Sequence, residues 1–144
     1  MPINVYTCGT FDLLHYNHIN MIKNAKKLGD LLIVGVNTDD LVVTLKKNPP
    51  ILSYDERFSI ISSIKDVDIV VPQKTLNLQN ILKNMNINIF VVGDDWEGNF
   101  DELKKTGIEV YYFPRGVGIS SSKLKEKIIN PNPVDSALQE IDNK

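Results

Sequence analysis

A single cysteine, Cys8, stands in the 144 residues, with no CxxC pair and no Cys/His spacing of a zinc site beside it. An internal disulfide framework is excluded and structural zinc finds no ligand set. Cys8 reads as a small buried residue in a chain suited to a reducing cytoplasm. Long hydrophobic runs are missing too. None approaches the roughly 20 apolar residues that span a bilayer, and Met1 leads into a strand pattern rather than a signal peptide, so a cytoplasmic protein with no membrane partner is expected. Charge of one sign is equally scarce: 16 Lys and Arg against 18 Asp and Glu leave a formal net charge of -2. That balance disfavours a nucleic-acid partner and makes any phosphate binding local. A Walker A loop, a GxGxxG fingerprint and a GxSxG elbow are all absent, which removes support for P-loop hydrolysis, dinucleotide redox chemistry and α/β-hydrolase catalysis.

What is present is a globular balance, 42% hydrophobic and 24% charged, in a length that suits one domain. Apolar, β-rich runs occur at Ile3–Cys8, Leu31–Val36, Val67–Val71, Ile89–Val92 and Val110–Phe113, separated by stretches of helical periodicity. Nearly continuous hydrophobicity marks strands covered on both faces. The alternation predicts an open, doubly wound parallel five-stranded sheet with helices on both faces. A first helix is expected over about His18 to Leu28, ended by Gly29. Ser53-Tyr54-Asp55-Glu56 has capping-box spacing for a second, Leu78 to Met85 suggest a third, and Ser120–Ser122 start a last one. Asp101–Thr106 is short and stops at Gly107. The domain is assigned to 1–129, with a weakly patterned tail over 130–144.

In such sheets a ligand crevice lies beyond the carboxyl ends of the strands, and the unusual residues collect there. Gly9-Thr10-Phe11-Asp12 follows the first strand, Gly93-Asp94-Asp95-Trp96-Glu97-Gly98 the fourth, and Arg115-Gly116-Val117-Gly118-Ile119-Ser120-Ser121-Ser122 the fifth. His15 and His18, the only histidines, are three apart and suit one ligand near a helix turn. An imidazole near its ordinary pKa of about 6.5 can stabilise phosphoryl charge. The spacing alone fits two surface histidines equally well. Arg115 with serines at a helix start makes an anion seat, although the same residues also describe an ordinary capped helix. Lys46 and Lys47 precede Asn48-Pro49-Pro50, a proline-stiffened loop that can carry an ammonium over the crevice, although most exposed lysine pairs do nothing catalytic.

Together these motifs resemble the cytidylyltransferase branch of the HxGH nucleotidyltransferases over roughly residues 3–128. The resemblance implies a single Rossmann-like domain that joins CTP to glycerol 3-phosphate, with Mg2+ on the triphosphate and a homodimeric assembly. It further implies that Gly9, Thr10, Phe11, Asp94, Arg115, Gly118, Ile119, Ser120 and Ser121 serve the nucleotide. His15, His18, Lys46 and Arg115 would be catalytic, and Asp12, Lys46 and Gln79 would lie toward the acceptor. No protein-bound metal is implied. Asp39, Arg57 and Asp68 match further polar positions of the family. Asn17 stands where the family has glycine, Lys65 where arginine is usual, and Gln79 near an expected lysine. Asn17 is expected to keep the glycine's backbone through a positive φ. Another phosphorylated polyol as acceptor, ATP in place of CTP, or a non-catalytic nucleotide-binding module are the alternatives on this reading.

Overall fold

The computed structural model describes residues 1–114 and 121–129. Among them, strands β1 (Asn4–Gly9), β2 (Leu31–Asn37), β3 (Ile69–Gln73), β4 (Ile89–Gly93) and β5 (Glu109–Phe113) form one sheet in the order β3-β2-β1-β4-β5. Every neighbouring pair is parallel. Strand order reverses between β1 and β4, which opens a crevice beyond their carboxyl ends.

Alternation along the central strands supplies two apolar layers. Val5, Ile89 and Val91 face one side, where Ile22 and Ala25 of α1 (Tyr16–Lys26) join Ile61. Tyr6, Cys8, Phe90 and Val92 face the other, against Leu82 and against Leu103 of a 3₁₀ helix (Asp101–Thr106). The predicted doubly wound sheet is therefore observed, each face covered by its own core.

A helix absent from the predicted set, α2 (Asp39–Lys46), precedes α3 (Tyr54–Ser62). The Thr38 hydroxyl accepts from the Leu41 N–H at 3.3 Å, and Asp39 and Asp40 occupy the positive end of the helix dipole. Lys46 is thus the last helical residue rather than part of a loop. Lys47 is its C-cap at φ 66°. In α3 the expected capping box is present: Glu56 N–H donates to Ser53 Oγ at 3.2 Å, and Ser53 N–H to Glu56 Oε1 at 3.0 Å. The next helix, α4 (Gln79–Asn84), carries the buried Leu82.

Close approach or φ requires glycine at several positions. Gly107 ends the 3₁₀ helix at φ 89°. Gly35 of β2 lies under a neighbouring side chain: a Cβ there would fall 1.9 Å from the Tyr6 hydroxyl. Gly29, expected to end α1, sits where a Cβ would meet the Ile3 carbonyl at 2.6 Å. The cap of α1 is Lys27 in ordinary helical conformation. Because Tyr6 and Gln73 are fully buried and joined at 2.7 Å, Gly35→Ala must break that bond or move the ring. Overpacking and an orphaned amide together are expected to destabilise the fold by about 2–5 kcal/mol. Urea unfolding checks this, and adding Tyr6→Phe should recover part of the loss by removing the struck oxygen.

Candidate active site

A cleft of about 560 Å3 opens at the strand-order reversal. Its walls come from Gly9–Asp12, from His15 and His18, from Lys46, from Gly93 with Asp95 and Trp96, and from Ser121 and Ser122 at the start of α5 (Ser121–Ile129). The loops after β1 and β4 thus converge on one space with the first residues of α5. Arg115, Gly118, Ile119 and Ser120 lie outside the described residues, as does the tail over 130–144.

The two histidines build the first turn of α1. His15 is the N-cap, so the helix begins at Tyr16, two residues earlier than expected. The Asn17 N–H donates to His15 Nδ1, and the His15 N–H donates to His18 Nδ1, both at 3.2 Å. The rings stack with centroids 3.9 Å apart. With both Nδ1 atoms accepting, the network assigns the proton to Nε2 on each ring, leaving two N–H donors for a ligand. Burial pushes His18 down to about 3, aided by its neighbours His15 and Lys46; burial also lowers His15. The expected imidazole of ordinary pKa is therefore corrected. His18 remains a neutral donor at physiological pH.

That depression has a pH consequence with a definite sign. Unfolded histidine takes up a proton near about 6.5, while folded His18 resists protonation until about 3, so the unfolded chain binds more protons between those values. Stability from this group is fully present above about pH 6.5 and declines as pH falls toward 3. Urea midpoints measured across that range should drop on acidification, with a shallower slope in His18→Asn.

Phe11 lines the cleft and also supports this pair. It holds φ 55°, is only 3% exposed, and meets the His18 ring edge-on at 5.5 Å. A Cβ on Gly9 would come within 3.2 Å of the Phe11 ring. Phe11 thus lines the cleft, as expected of a residue on the nucleotide side, while its ring packs against His18.

Asp12 is 1% exposed, and its carboxylate accepts from the Ile51 and Leu52 N–H groups at 2.7 and 3.0 Å and from Lys125 Nζ at 2.5 Å. Burial favours its neutral form, yet Lys125 and the two amides prevail and hold it below the usual carboxylate range. Its oxygens are engaged within the chain, and Asp12 lines the cleft, where it is expected on the acceptor side. Ser121 likewise donates its hydroxyl to the Asp12 carbonyl. Lys46 is lowered by burial first and by the Lys125 charge second.

The resemblance singles out Arg57 and Asp39 without a role, and the structure makes them part of a scaffold behind the cleft. Arg57 is fully buried, with Nε on Leu52 O at 3.0 Å, Nη1 on Thr10 O at 2.8 Å and Asn37 O at 2.7 Å, and Nη2 on Asp39 Oδ1 at 2.7 Å. One guanidinium therefore ties the ends of β1 and β2 to α2 and α3. Beside it a polar chain runs from the Tyr6 hydroxyl to Gln73, from Gln73 Nε2 to Asn37 Oδ1 at 3.0 Å, and from Asn37 Nδ2 to Thr10 Oγ1 at 3.2 Å. It reaches the cleft at Thr10.

Several expected residues stand elsewhere. Gln79 is exposed at the start of α4 and does not line the cleft. Asp68 lies at the opposite end of the sheet, accepting from Leu32 N–H at 2.8 Å and Lys26 Nζ at 2.6 Å. Asp94 sits in the 3₁₀ turn Asp94–Trp96 beside the wall made by Asp95 and Trp96. Asn17 is helical, in α1, and is not among the positive-φ residues, so the glycine mimicry expected of it is corrected. Cys8, at the cleft floor, is pushed up to about 12 by burial and stays a thiol. Among the described residues no group of three or more His, Cys, Asp or Glu stands where it could hold a metal ion, and no helix is long and apolar enough to cross a membrane.

A family model described as cytidylyltransferase-like matches residues 6–127. Glycerol-3-phosphate cytidylyltransferase of Bacillus subtilis (strain 168) is 47% identical over 126 residues, covering 86% of this chain and 95% of the relative. The protein of that name from Staphylococcus aureus (strain NCTC 8325 / PS 47) is 39% identical over 125 residues, covering 86% and 93%. Among solved structures, the lipopolysaccharide core biosynthesis protein of Thermoplasma volcanium GSS1 superposes with a TM-score of 0.67 at 28% identity, over 81% of this chain and 98% of that one.

Proposed function

The chain belongs to the cytidylyltransferase-like family, and from that membership we propose that it transfers the cytidylyl group of CTP to sn-glycerol 3-phosphate, giving CDP-glycerol and pyrophosphate. It is a nucleotidyltransferase. The observation that carries the reading is the meeting of two neutral imidazole donors, the Lys46 ammonium and the start of α5 in the crevice of a chain 47% identical to a glycerol-3-phosphate cytidylyltransferase.

A phosphate oxygen of the acceptor attacks the α-phosphorus of CTP in line. The bond to the bridging oxygen breaks and pyrophosphate leaves, so the chemistry asks for alignment and charge neutralisation. His15 and His18 donate Nε2–H to phosphate oxygens as their charge grows. Lys46 faces the transferred group, and its depressed pKa fits an ammonium held out of bulk water. Thr10 and the Gly93–Trp96 wall take the nucleoside side. Arg115, Gly118, Ile119, Ser120 and Ser121 are assigned to the nucleotide on the resemblance of their motif. Asp12 positions its neighbours, and Gln79 receives no role. No covalent enzyme intermediate is required, and the Cys8 thiol is unsuited to forming one. Mg2+ is assigned to the triphosphate as part of the substrate, where it would neutralise charge. A cytoplasmic homodimer supplying CDP-activated polyol for surface-polymer or capsule precursors completes the proposal.

Pyrophosphate release with CTP or ATP across a panel of phosphorylated polyols tests it. CTP with glycerol 3-phosphate is expected to be the best pair. Equal or better turnover with ATP would overturn the nucleotide assignment, and a better acceptor would overturn the substrate.

A further inference from the structure

Lys125 belongs to no motif that pointed to function, yet its ammonium lies 2.5 Å from Asp12 Oδ2, a carboxylate whose side chain is 1% exposed. Ser121, four residues earlier on the same helix, donates to the carbonyl of the same aspartate. Residues at that spacing share one helical face, so α5 grips the β1–α1 loop at two points on that face. Asp12 also holds the Ile51 and Leu52 amides, in the segment joining α2 to α3. One buried carboxylate thereby links three parts of the cleft: the loop before the histidines, the segment after Lys46, and the helix whose first residues close the wall. Breaking one partner of such a pair leaves a desolvated carboxylate without its counter-charge, so the arrangement is sensitive to Lys125 in particular.

We infer that Lys125 is a positioning residue for nucleotide binding, docking α5 through Asp12 so that the helix start faces the CTP phosphates. The inference rests on the proposed function, because it is the triphosphate that the start of α5 would meet. Lys125 itself does not line the cleft. Its effect is therefore expected on nucleotide affinity, not on the chemical step or on acceptor recognition. Lys127 carries the same charge on the same exposed helix without that partner, and so separates docking from general attraction of an anion.

The test compares Lys125→Gln, Lys125→Arg and Lys127→Gln with the wild-type chain. CTP affinity is read by titration calorimetry, the glycerol 3-phosphate KM by steady-state kinetics, and docking by amide exchange over Ser121–Ile129 without nucleotide. In Lys125→Gln, CTP affinity should fall about tenfold or more, because small misplacements of binding groups are costly, while the acceptor KM stays within roughly twofold. Exchange in α5 should rise. Lys125→Arg should restore both, and Lys127→Gln should change neither. Wild-type CTP affinity retained in Lys125→Gln, or an equal loss in Lys127→Gln, would overturn the inference. Failure of the wild-type chain to bind CTP would overturn the proposed function instead, and the exchange result would still report whether Lys125 docks α5. If Lys125→Gln does not fold, Lys125→Arg decides: an exchange pattern and CTP affinity like the wild type support docking, and loss of both overturns it.

Discussion

Replacing His18 with asparagine is expected to lower kcat by about 10²–10³, the range found when one preorganised donor to developing charge is removed. Asparagine isolates that contribution because its Oδ1 can still accept from the His15 N–H, as His18 Nδ1 does at 3.2 Å, so the turn that starts α1 is preserved. What disappears is the Nε2–H donor. Since the lost interaction belongs to the transition state, kcat and kcat/KM should fall together. Unfolding stability should change by less than about 1 kcal/mol, the scale of one helix cap. His18→Gln, whose longer amide can place an N–H near the former Nε2, should recover part of the rate. Unchanged turnover in folded His18→Asn would return the ring to a capping role alone.

Arg57→Met is expected to have the largest effect on stability, a loss of about 3–5 kcal/mol. The cause is not a stranded carboxylate, because the Asp39 side chain is 48% exposed and can be hydrated. It lies in three carbonyls, of Thr10, Asn37 and Leu52, that lose charge-assisted donors within or beside the core, each costing about 1–3 kcal/mol when left unpaired. Lysine would not repair it. A single ammonium lacks the planar fork that reaches both strand ends and the α2–α3 segment at once. Denaturant titration of both variants checks the expectation, and Arg57→Lys as stable as the wild-type chain would show that charge alone suffices there.

The strands were legible because hydrophobicity on both faces of a parallel sheet leaves a nearly unbroken apolar run, and β2 and β4 carry one. The α3 capping box was legible because both partners lie three residues apart. α2 escaped notice for local reasons: it buries only Leu41 and Val42, exposes Val43 and Leu45, and ends on a left-handed lysine instead of the usual glycine. Its start signal, Thr38 before two aspartates, was nevertheless in view. His15 gives no cap signal in the sequence because imidazole is an uncommon N-cap.

The cleft's supporting network was beyond the reach of spacing. Asp12 meets its amides 39 and 40 residues away, and Arg57 meets the Thr10 carbonyl across 47. Neither distance carries a local period. Gly29 and Gly35 likewise looked like ordinary glycines until the facing Ile3 carbonyl and Tyr6 hydroxyl occupied the space a Cβ needs. The cleft-lining loops were easier to find, since Gly9–Asp12 and the Gly93–Trp96 turn directly follow strands, where topology gathers them.

The claim that the cleft acts through neutral imidazole donors is tested most directly by nitrogen-15 spectra of the histidine rings, of which the chain has two. The account predicts the Nε2–H tautomer on both rings, with His18 showing no protonation as pH is lowered from about 8 to 5, well past the ordinary histidine value of about 6.5. A His18 ring that carries its proton on Nδ1, or that titrates near that ordinary value, would contradict it.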